Sequence, residues 1–319
     1  MGCRDSFHWC KDPLLPLHWS WKRCFVSCKS WLALAGVTAF LVGLLLGIPG
    51  ADAAPIFGQS PRTQFFLGTA VRSFGRFQKL SGGGRDLAVW TAPLVASYAL
   101  RTDATVTLIV PYVNKRLQTP AGTLRADGLG DLQILGKYRF FRRDAPFSRL
   151  QAAILGGLKL PTGSNSEGPG IQKAPALQPG SGSVDGIVGG AAGYTTMHWS
   201  FEGALTYKIN STAEDFRFGN VLAYDFYVAY QLYPDWPTPG LSQLNISLEL
   251  NGRTSGHNEV HGREVPESGG TVLFLSPGLQ YIVSGNLLLE TGVQVPMVRE
   301  LRGALEPDYT VLFGFRYLF

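Results

Sequence analysis

The sequence predicts an all-β protein, a transmembrane antiparallel β-barrel of about twelve strands. Beyond residue 53 no apolar run approaches the length of a membrane-spanning helix, whereas many segments of about ten residues alternate between apolar and polar or small side chains. Charged residues make up only 16% of the chain and glycine is abundant, at 39 residues, which is unlike the surface of a soluble protein. The connections between the alternating segments are rich in Gly, Pro, Asp and Asn, as turns require.

The amino-terminal region contains a long apolar run, residues 31–50, which follows a basic stretch and leads to Ala51-Asp52-Ala53. A basic flank, an apolar centre and small residues in an A-x-A pattern are typical of a secretory signal peptide. We therefore expect residues 1–53 to be a presequence, cleaved after Ala53 on Sec-type export, and residues 54–319 to form the barrel. The alternative is an uncleaved inner-membrane anchor, since about 20 apolar residues can span a bilayer. Pro49 and the A-x-A pattern argue against it.

All four cysteines, Cys3, Cys10, Cys24 and Cys28, lie in the expected presequence. Cleavage therefore leaves the mature chain without disulfides or thiolate metal sites. The region before the apolar run is long for a presequence, and a translation start near Val26 is an alternative. The 28 basic and 23 acidic residues nearly balance, so the charge does not indicate a nucleic-acid partner.

The strands are expected to turn an apolar face to lipid and a polar or small face to the lumen. Aromatic residues cluster near the strand ends, where a bilayer interface favours them. The chain ends on an aromatic residue, Phe319, which predicts recognition by the barrel-assembly machinery. The alternation is clearest in five segments, residues 131–140, 198–209, 216–231, 244–251 and 311–319.

A soluble β-sandwich would also show alternation and is the main alternative fold. Its apolar face would be a core, which does not collect Tyr, Trp and Phe at strand ends. The connections favour a barrel, because long and short ones mostly alternate, as expected for external loops and periplasmic turns. Ten or fourteen strands remain alternatives to twelve. The expected external connections are 79–85, 115–126, 162–182, 211–215, 253–270 and 299–307, and the expected periplasmic ones are 101–104, 142–146, 193–196, 233–240 and 284–286.

Three motifs lie between Gly128 and Asp185. They are Gly128-Leu-Gly-Asp-Leu-Gln-Ile-Leu-Gly-Lys-Tyr-Arg-Phe-Phe, Gly157-Leu-Lys-Leu-Pro-Thr-Gly163 and Pro179-Gly-Ser-Gly-Ser-Val-Asp185. In these motifs the chain resembles the phenol-degradation meta-pathway outer-membrane transporter family. The resemblance implies an outer-membrane barrel and the passage of aromatic or other hydrophobic compounds, and it transfers no catalytic residues. From the residues alone, the glycines and the proline are expected to shape strand ends.

Functional side chains are expected on the lumen face or on external loops, because a charge facing lipid at mid-depth costs about 2–4 kcal/mol. The lumen face carries both signs of charge, which predicts a hydrated interior with weak ion selectivity. A hydrogen-bonded interior without substrate contacts is the alternative. Side chains or an inward fold of residues 162–182 could partly plug the lumen. The candidate lumen and substrate-pathway residues are Asp131, Gln133, Lys137, Arg139, Lys159, Glu202, Lys208, Asp225, Glu249, Glu290 and Arg316.

His198, Ser200 and Glu202 share one strand face with neighbours about 7 Å apart, and they superficially resemble the His and Ser arrangement of lipid A deacylases. A row of ordinary polar lumen residues would look the same, so we expect no catalytic residues and no enzyme. His257 and His261 are four residues apart, but they lie in a loop that does not preset metal geometry. We therefore predict neither a metal site nor a cofactor.

These features together predict a channel or transporter for small, aromatic or hydrophobic solutes. It is expected to be a multi-pass barrel in the cell outer membrane, surrounded by lipid. An outer-membrane acyl hydrolase and a structural barrel that anchors an envelope complex are the alternatives.

Overall fold

The structure is a computed structural model that describes residues 53–64, 68–165, 175–235, 241–303 and 305–319. The expected presequence lies outside the described residues, apart from Ala53. No helix within the described ranges is long and apolar enough to cross a membrane.

The described residues form β-strands joined by turns and loops. In chain order they are β1 (Thr69–Gly82), β2 (Arg85–Arg101), β3 (Ala104–Thr119), β4 (Gly122–Leu129), β5 (Leu132–Ala145), β6 (Ser148–Leu160), β7 (Asp185–Thr196), β8 (Trp199–Ile209), β9 (Thr212–Ala213), β10 (Phe216–Arg217), β11 (Val221–Tyr233), β12 (Gln243–Ser255), β13 (Asn258–Val260), β14 (Arg263–Val265), β15 (Gly270–Ser284), β16 (Leu287–Leu301) and β17 (Glu306–Leu318).

The long strands form one closed antiparallel barrel. Strand β1 pairs with β2 on one side and with the last strand, β17, on the other, and this leaves the sheet without free side edges. Strand β3 pairs with β4 along one half and with β5 along the other, so β4 and β5 together act as one interrupted strand. The barrel therefore has twelve strands, which confirms the predicted fold.

The two faces of the barrel wall differ in chemistry. Large apolar side chains such as Trp199, Leu205 and Phe313 remain 44%, 54% and 57% exposed on the outer face. Their inward neighbours are buried, as for Glu202 on β8 and Leu312 on β17. A soluble protein rarely exposes so large an apolar surface, whereas a bilayer requires it. The barrel is therefore an outer-membrane barrel, and the soluble β-sandwich is wrong.

Short turns and both ends of the barrel chain lie at the same end of the barrel. Four connections there are two-residue turns, at 102–103, 146–147, 197–198 and 285–286, close to the predicted positions. In bacterial barrels this end faces the periplasm. The opposite end, which we call external, carries the connections 161–184, 210–220 and 256–269.

Two of the expected external loops are strand hairpins. Strands β1 and β2 continue to a turn at Gly83 and Gly84, which have φ values of 59° and 70°. Two successive positive φ angles suit a tight hairpin turn that matches the twist of the flanking strands. Strands β3 and β4 likewise continue to residues 120–121. The predicted loops at 79–85 and 115–126 were therefore wrong, because these strands project beyond the part that needs an apolar face.

The predicted strand that begins at Phe216 is interrupted. Strand β10 belongs to a separate external sheet with the order β14-β13-β10-β9, and the barrel strand β11 begins only at Val221. Between them, Asn210 Nδ2 donates to the carbonyl of Gly219 at 2.6 Å, and the Gly219 N–H donates to Asn258 Oδ1 at 3.0 Å. These bonds occupy the N–H and the carbonyl of Gly219, which a continuous strand would use in backbone hydrogen bonds with its neighbouring strands.

Candidate functional site: a plugged lumen

Residues 53–64 run through the inside of the barrel, and we call this segment the plug. Ala53, Ala54 and Ile56 are 7%, 6% and 2% exposed, although the segment forms no strand. The sequence assigned residues 54–319 to the barrel and predicted that side chains or an inward fold of residues 162–182 could partly plug it. The available signal was the lack of period-two alternation between the A-x-A pattern and β1, in a segment that contains Pro55 and Pro61.

Glu249 on β12 is the main anchor of the plug. Its carboxylate accepts hydrogen bonds from three successive plug N–H groups, those of Ile56 at 2.6 Å, Phe57 at 3.3 Å and Gly58 at 3.0 Å. Asn251 Nδ2 donates to the same carboxylate at 3.2 Å. Successive N–H groups that converge in this way form a concave anion site. Because Glu249 is only 1% exposed, it requires such donors in place of water.

A second anchor is formed by Glu290 on β16. Arg72 Nε and Arg316 Nη2 contact its two carboxylate oxygens at 2.5 and 3.3 Å. Arg72 also donates to the carbonyl of Ile56 at 2.6 Å, and Gln280 donates to another plug carbonyl at 2.8 Å. The plug is therefore held by polar contacts with the lumen wall on both sides.

The third anchor is Arg62 of the plug itself. Its Nε lies 2.6 Å from Glu202 Oε1, and its Nη2 donates to Ser200 Oγ at 3.1 Å. His198 Nε2 lies 2.6 Å from the carbonyl oxygen of Asp235. The described contacts of His198, Ser200 and Glu202 therefore do not link a nucleophile to a base, which catalysis would require. Two of the three side chains hold the plug instead.

At the external end a buried ion-pair cluster joins the three sequence motifs. Lys159 Nζ lies 2.9 Å from Asp131 Oδ2 and 2.7 Å from Asp185 Oδ2, and Lys208 Nζ lies 3.1 Å from Asp185. The backbone N–H and the hydroxyl of Ser181 donate to Asp131 at 2.8 and 2.7 Å. The cluster links the segment that begins at residue 175 to strands β6, β7 and β8. Residues 166–174 lie outside the described ranges.

Residues 175–183 fold against the inner face at the external mouth. Lys115 Nζ donates to the carbonyls of Ala176 and Gln178 at 2.8 and 2.7 Å. A Cβ at Gly180 would stand 2.6 Å from the backbone of Gly163, so this contact excludes a side chain. The expected inward fold of residues 162–182 thus holds for their described part, while residues 166–174 lie outside the described ranges.

The remaining candidate lumen residues occupy different heights of the barrel. Gln133 is the cross-strand partner of Lys159 and shares its face. Lys137 Nζ donates to the carbonyl of Arg62 at 3.2 Å. Asp225 accepts from Asn251 at 2.9 Å and lies against Gly58 of the plug. Arg139 lies at the periplasmic rim, where its Nη2 donates to the carbonyl of Thr102 at 2.8 Å.

Several inward polar residues were not predicted from the sequence. Arg72 and Arg76 lie on β1, and their faces could have been read from their i, i+4 spacing on a strand. Lys115, Arg253 and the fully buried Tyr227 also follow the inward parity of their strands. Arg62 could not be placed by strand parity, because it lies in the plug, which forms no strand.

The histidines of the external sheet do not act together. His257 lies 3.1 Å from the carbonyl of Val265 and 2.5 Å from Arg302. His261 lies 3.8 Å from Asp215, and both of these side chains are exposed. This external region therefore presents a surface hydrogen-bond network.

A cavity of about 460 Å³ lies at the periplasmic mouth, next to the end of the plug. Arg62, Gln151, Ser200 and Asn245 are among the polar side chains that line it. The periplasmic mouth is therefore lined by polar groups and leads to the plug.

We expect Gly292→Val to loosen the plug without disturbing the barrel. A Cβ at Gly292 would stand 2.8 Å from the ring of Phe57, so the larger side chain must displace that ring. The expected result is a higher single-channel conductance in planar bilayers. Gly156→Val is the matched control, because a Cβ there meets nothing within 4 Å. Equal conductance of the two variants would contradict this role of Phe57.

Comparisons with known proteins agree with the fold. The outer membrane channel from Pseudomonas putida F1 superposes with a TM-score of 0.62 at 12% identity, covering 84% of this chain and 100% of that one. The β domain of the Bordetella autotransporter BrkA gives a TM-score of 0.49 at 10% identity, covering 79% of this chain and 99% of that one. The likeness to the Pseudomonas channel, at 12% identity, shows the fold alone. A search of curated proteins finds no match.

The family comparison is specific to the sequence. A family model described as "MetA-pathway of phenol degradation" matches residues 61–297, which include all three motifs and most of the barrel. The resemblance inferred from the motifs is thereby confirmed. The chain belongs to the phenol-degradation MetA-pathway family of outer-membrane β-barrels.

Proposed function

We propose that the chain is an outer-membrane channel for passive diffusion of small organic solutes, in which the plug sets the width of the path. The observation that carries this proposal is the polar lumen. A barrel with only a structural role could close its interior with side chains of the wall alone, as small barrels do. Here the interior holds Glu249, Glu290 and Glu202, each bound to a plug or wall donor.

The way in which the plug is attached supports a solute path whose width can change. Its anchors are hydrogen bonds and ion pairs, which water can replace more readily than it can replace apolar packing. Movement of residues 53–64 would join the periplasmic cavity to the external half of the lumen.

We propose aromatic or otherwise hydrophobic compounds as the solutes, with the family description as support. We propose transport in preference to acyl hydrolysis, because the Ser200 hydroxyl contacts the Arg62 guanidinium, which cannot act as a base. An anchoring role in an envelope complex would need no such polar lumen.

We also propose Sec-type export with cleavage after Ala53, and recognition of Phe319 by the barrel-assembly machinery. Ala53 and Ala54 are buried inside the barrel, so cleavage between them must precede closure of the barrel around the plug. Amino-terminal sequencing of protein purified from outer membranes should begin at Ala54. A longer mature chain would contradict this site.

Solute flux tests the proposed function. Purified protein in liposomes should admit small aromatic acids and alcohols faster than empty liposomes in a swelling assay, and should give discrete conductance steps in planar bilayers. Protein-free liposomes and a heat-denatured sample are the controls. A correctly folded barrel that passes neither ions nor these solutes, with or without its plug, would refute the proposal.

A further inference from the structure

The lumen contains an excess of cations whose charges are not matched by carboxylates. Six inward carboxylates were described above, and each binds at least one cation or N–H group. They are Asp131 and Asp185 in the external cluster, Glu202 with Arg62, Asp225 with Asn251, and Glu249 and Glu290 at the plug. Asp225 and Glu249 are held by neutral donors and the other four carboxylates by cations, and the inward cations without an ion-pair partner among the described residues outnumber these two carboxylates.

Besides Arg139 at the periplasmic rim, which donates to the carbonyl of Thr102, four inward cations lack such a partner, and two of these four are otherwise satisfied. Lys115 donates to two backbone carbonyls and Lys137 donates to one. The other two are Arg76 on β1 and Arg253 on β12. Neither guanidinium makes a hydrogen bond or an ion pair with any described residue, and the Nε of Arg76 is buried without an acceptor. A buried donor without an acceptor is unfavourable, so a ligand that accepts from it is favoured.

The two guanidinium groups lie near each other on the external side of the plug. Arg76 is four residues further along β1 than Arg72, which holds the plug at Ile56. Wall contacts connect it to Arg253: Thr310 is the cross-strand partner of Gln78, two residues from Arg76, and Gln294, the other partner of Thr310, donates to Asn251, two residues from Arg253. Arg253 lies on the same inward face of β12 as Glu249 and is exposed to the lumen. Its positive charge also acts on Lys208.

A nearby carboxylate, that of Asp225, does not neutralise the guanidinium groups of Arg76 and Arg253. Asp225 attracts Arg253 without forming an ion pair with it, and its carboxylate already binds Asn251 Nδ2 at 2.9 Å. Asp225 also lies against Gly58 of the plug. Two like charges in a narrow lumen repel each other, and an anion placed between them would remove that repulsion.

Neutral donors and acceptors complete the surroundings. Thr310, on the inward face of β17 close to Arg76, is fully buried, and its hydroxyl has no partner among the described residues. Gln294 on β16 is the cross-strand partner of Thr310 and reaches Asn251 Oδ1 at 3.1 Å. This wall segment therefore offers a hydroxyl next to the guanidinium of Arg76.

We propose that Arg76 and Arg253 form an anion-binding site on the external side of the plug, which takes the carboxylate group of a small organic acid. A guanidinium binds a carboxylate through two parallel hydrogen bonds, which gives both geometry and affinity. This inference deepens the proposed function and rests on it, since a site above the plug would select solutes before they pass. It assigns organic anions as a substrate class.

The first test uses channel selectivity. In planar bilayers under a KCl gradient, the wild-type reversal potential should indicate a preference for chloride over potassium. The double variant Arg76→Gln/Arg253→Gln should lose most of that preference. Arg143→Gln is the matched control, because Arg143 is an exposed residue of the periplasmic hairpin and faces away from the lumen. It should keep the wild-type reversal potential, and an unchanged potential in the double variant would overturn the proposal.

The second test measures binding without conduction. Benzoate titrated by calorimetry into the detergent-purified protein should bind, and Arg76→Gln should weaken binding about tenfold through loss of one charge-assisted pair. Arg76→Lys should keep anion preference yet bind benzoate more weakly, because an ammonium lacks the planar fork. Binding in a barrel that does not conduct would retain the anion site and refute the channel. Conduction with equal benzoate binding by the wild type and Arg76→Gln would retain the channel and refute the site.

Discussion

Deletion of residues 54–64 is expected to increase single-channel conductance at least about threefold, because the open area of a barrel is set by what fills it. The deleted residues are those that occupy the lumen between Glu249, Glu290 and Glu202. These carboxylates would then bind water and remain in a polar lumen. The measurement is the step size in planar bilayers at fixed salt, with correct folding checked by heat-modifiable migration on gels.

A point substitution separates the plug from general damage to the barrel. Glu249→Gln removes the charge that gathers three plug N–H groups and puts an N–H₂ group among donors. We expect this variant to flicker between the wild-type and deletion conductance levels. Glu259→Gln is the matched control, since Glu259 pairs with Arg217 in the external sheet and not in the lumen. A deletion variant with wild-type conductance would show that the plug does not limit the path.

Lys159→Met is expected to cost about 3–5 kcal/mol of unfolding free energy, the usual effect of removing one partner of a buried ion pair. Lys159 is 5% exposed and lies between Asp131 and Asp185, so the variant leaves two buried carboxylates with fewer cationic partners. Unfolding by urea in detergent micelles, followed by tryptophan fluorescence, measures the loss.

Two further variants identify the cause of that loss. Lys159→Met combined with Asp131→Asn and Asp185→Asn should regain much of the stability, because no uncompensated charge then remains. Lys79→Met should change stability by less than about 1 kcal/mol, as Lys79 is 43% exposed and lies 4.0 Å from Asp86 and Asp308. If Lys159→Met matched Lys79→Met, the external cluster would have no role in stability.

The barrel wall could be predicted from the sequence because its signal is local. Each membrane strand must alternate between lipid and lumen over about ten residues, and that requirement is visible in the strand itself. The faces predicted for 198–209, 244–251 and 311–319 are those of the structure, with Leu205, Ile246 and Phe313 outside. Alternation fails as a guide where the strands leave the bilayer. There the hairpin at 115–126 turns Arg116, Gln118 and Arg125 outward in place of apolar side chains and looks like a loop.

The contents of the lumen depend on contacts between residues far apart in the chain. Ile56 and Glu249 are 193 positions apart, and nothing near either residue indicates the other. The break before Val221 has a similar cause, because it depends on side chains of Asn210 and Asn258 in other elements. The row of His198, Ser200 and Glu202 was ambiguous between catalysis and support until Arg62 was placed beside it.

The sequence alone predicted an outer-membrane barrel of about twelve strands, the outward face of its strands and the motifs of its family, because a bilayer imposes its pattern residue by residue. The folded structure was needed to fix the strand number and to show that residues 53–64 fill the lumen and that Arg76 and Arg253 have no carboxylate partners among the described residues. Those features depend on hydrogen bonds and ion pairs between residues that are far apart in the chain. Such contacts form only when the barrel closes, so no local sequence pattern predicts them.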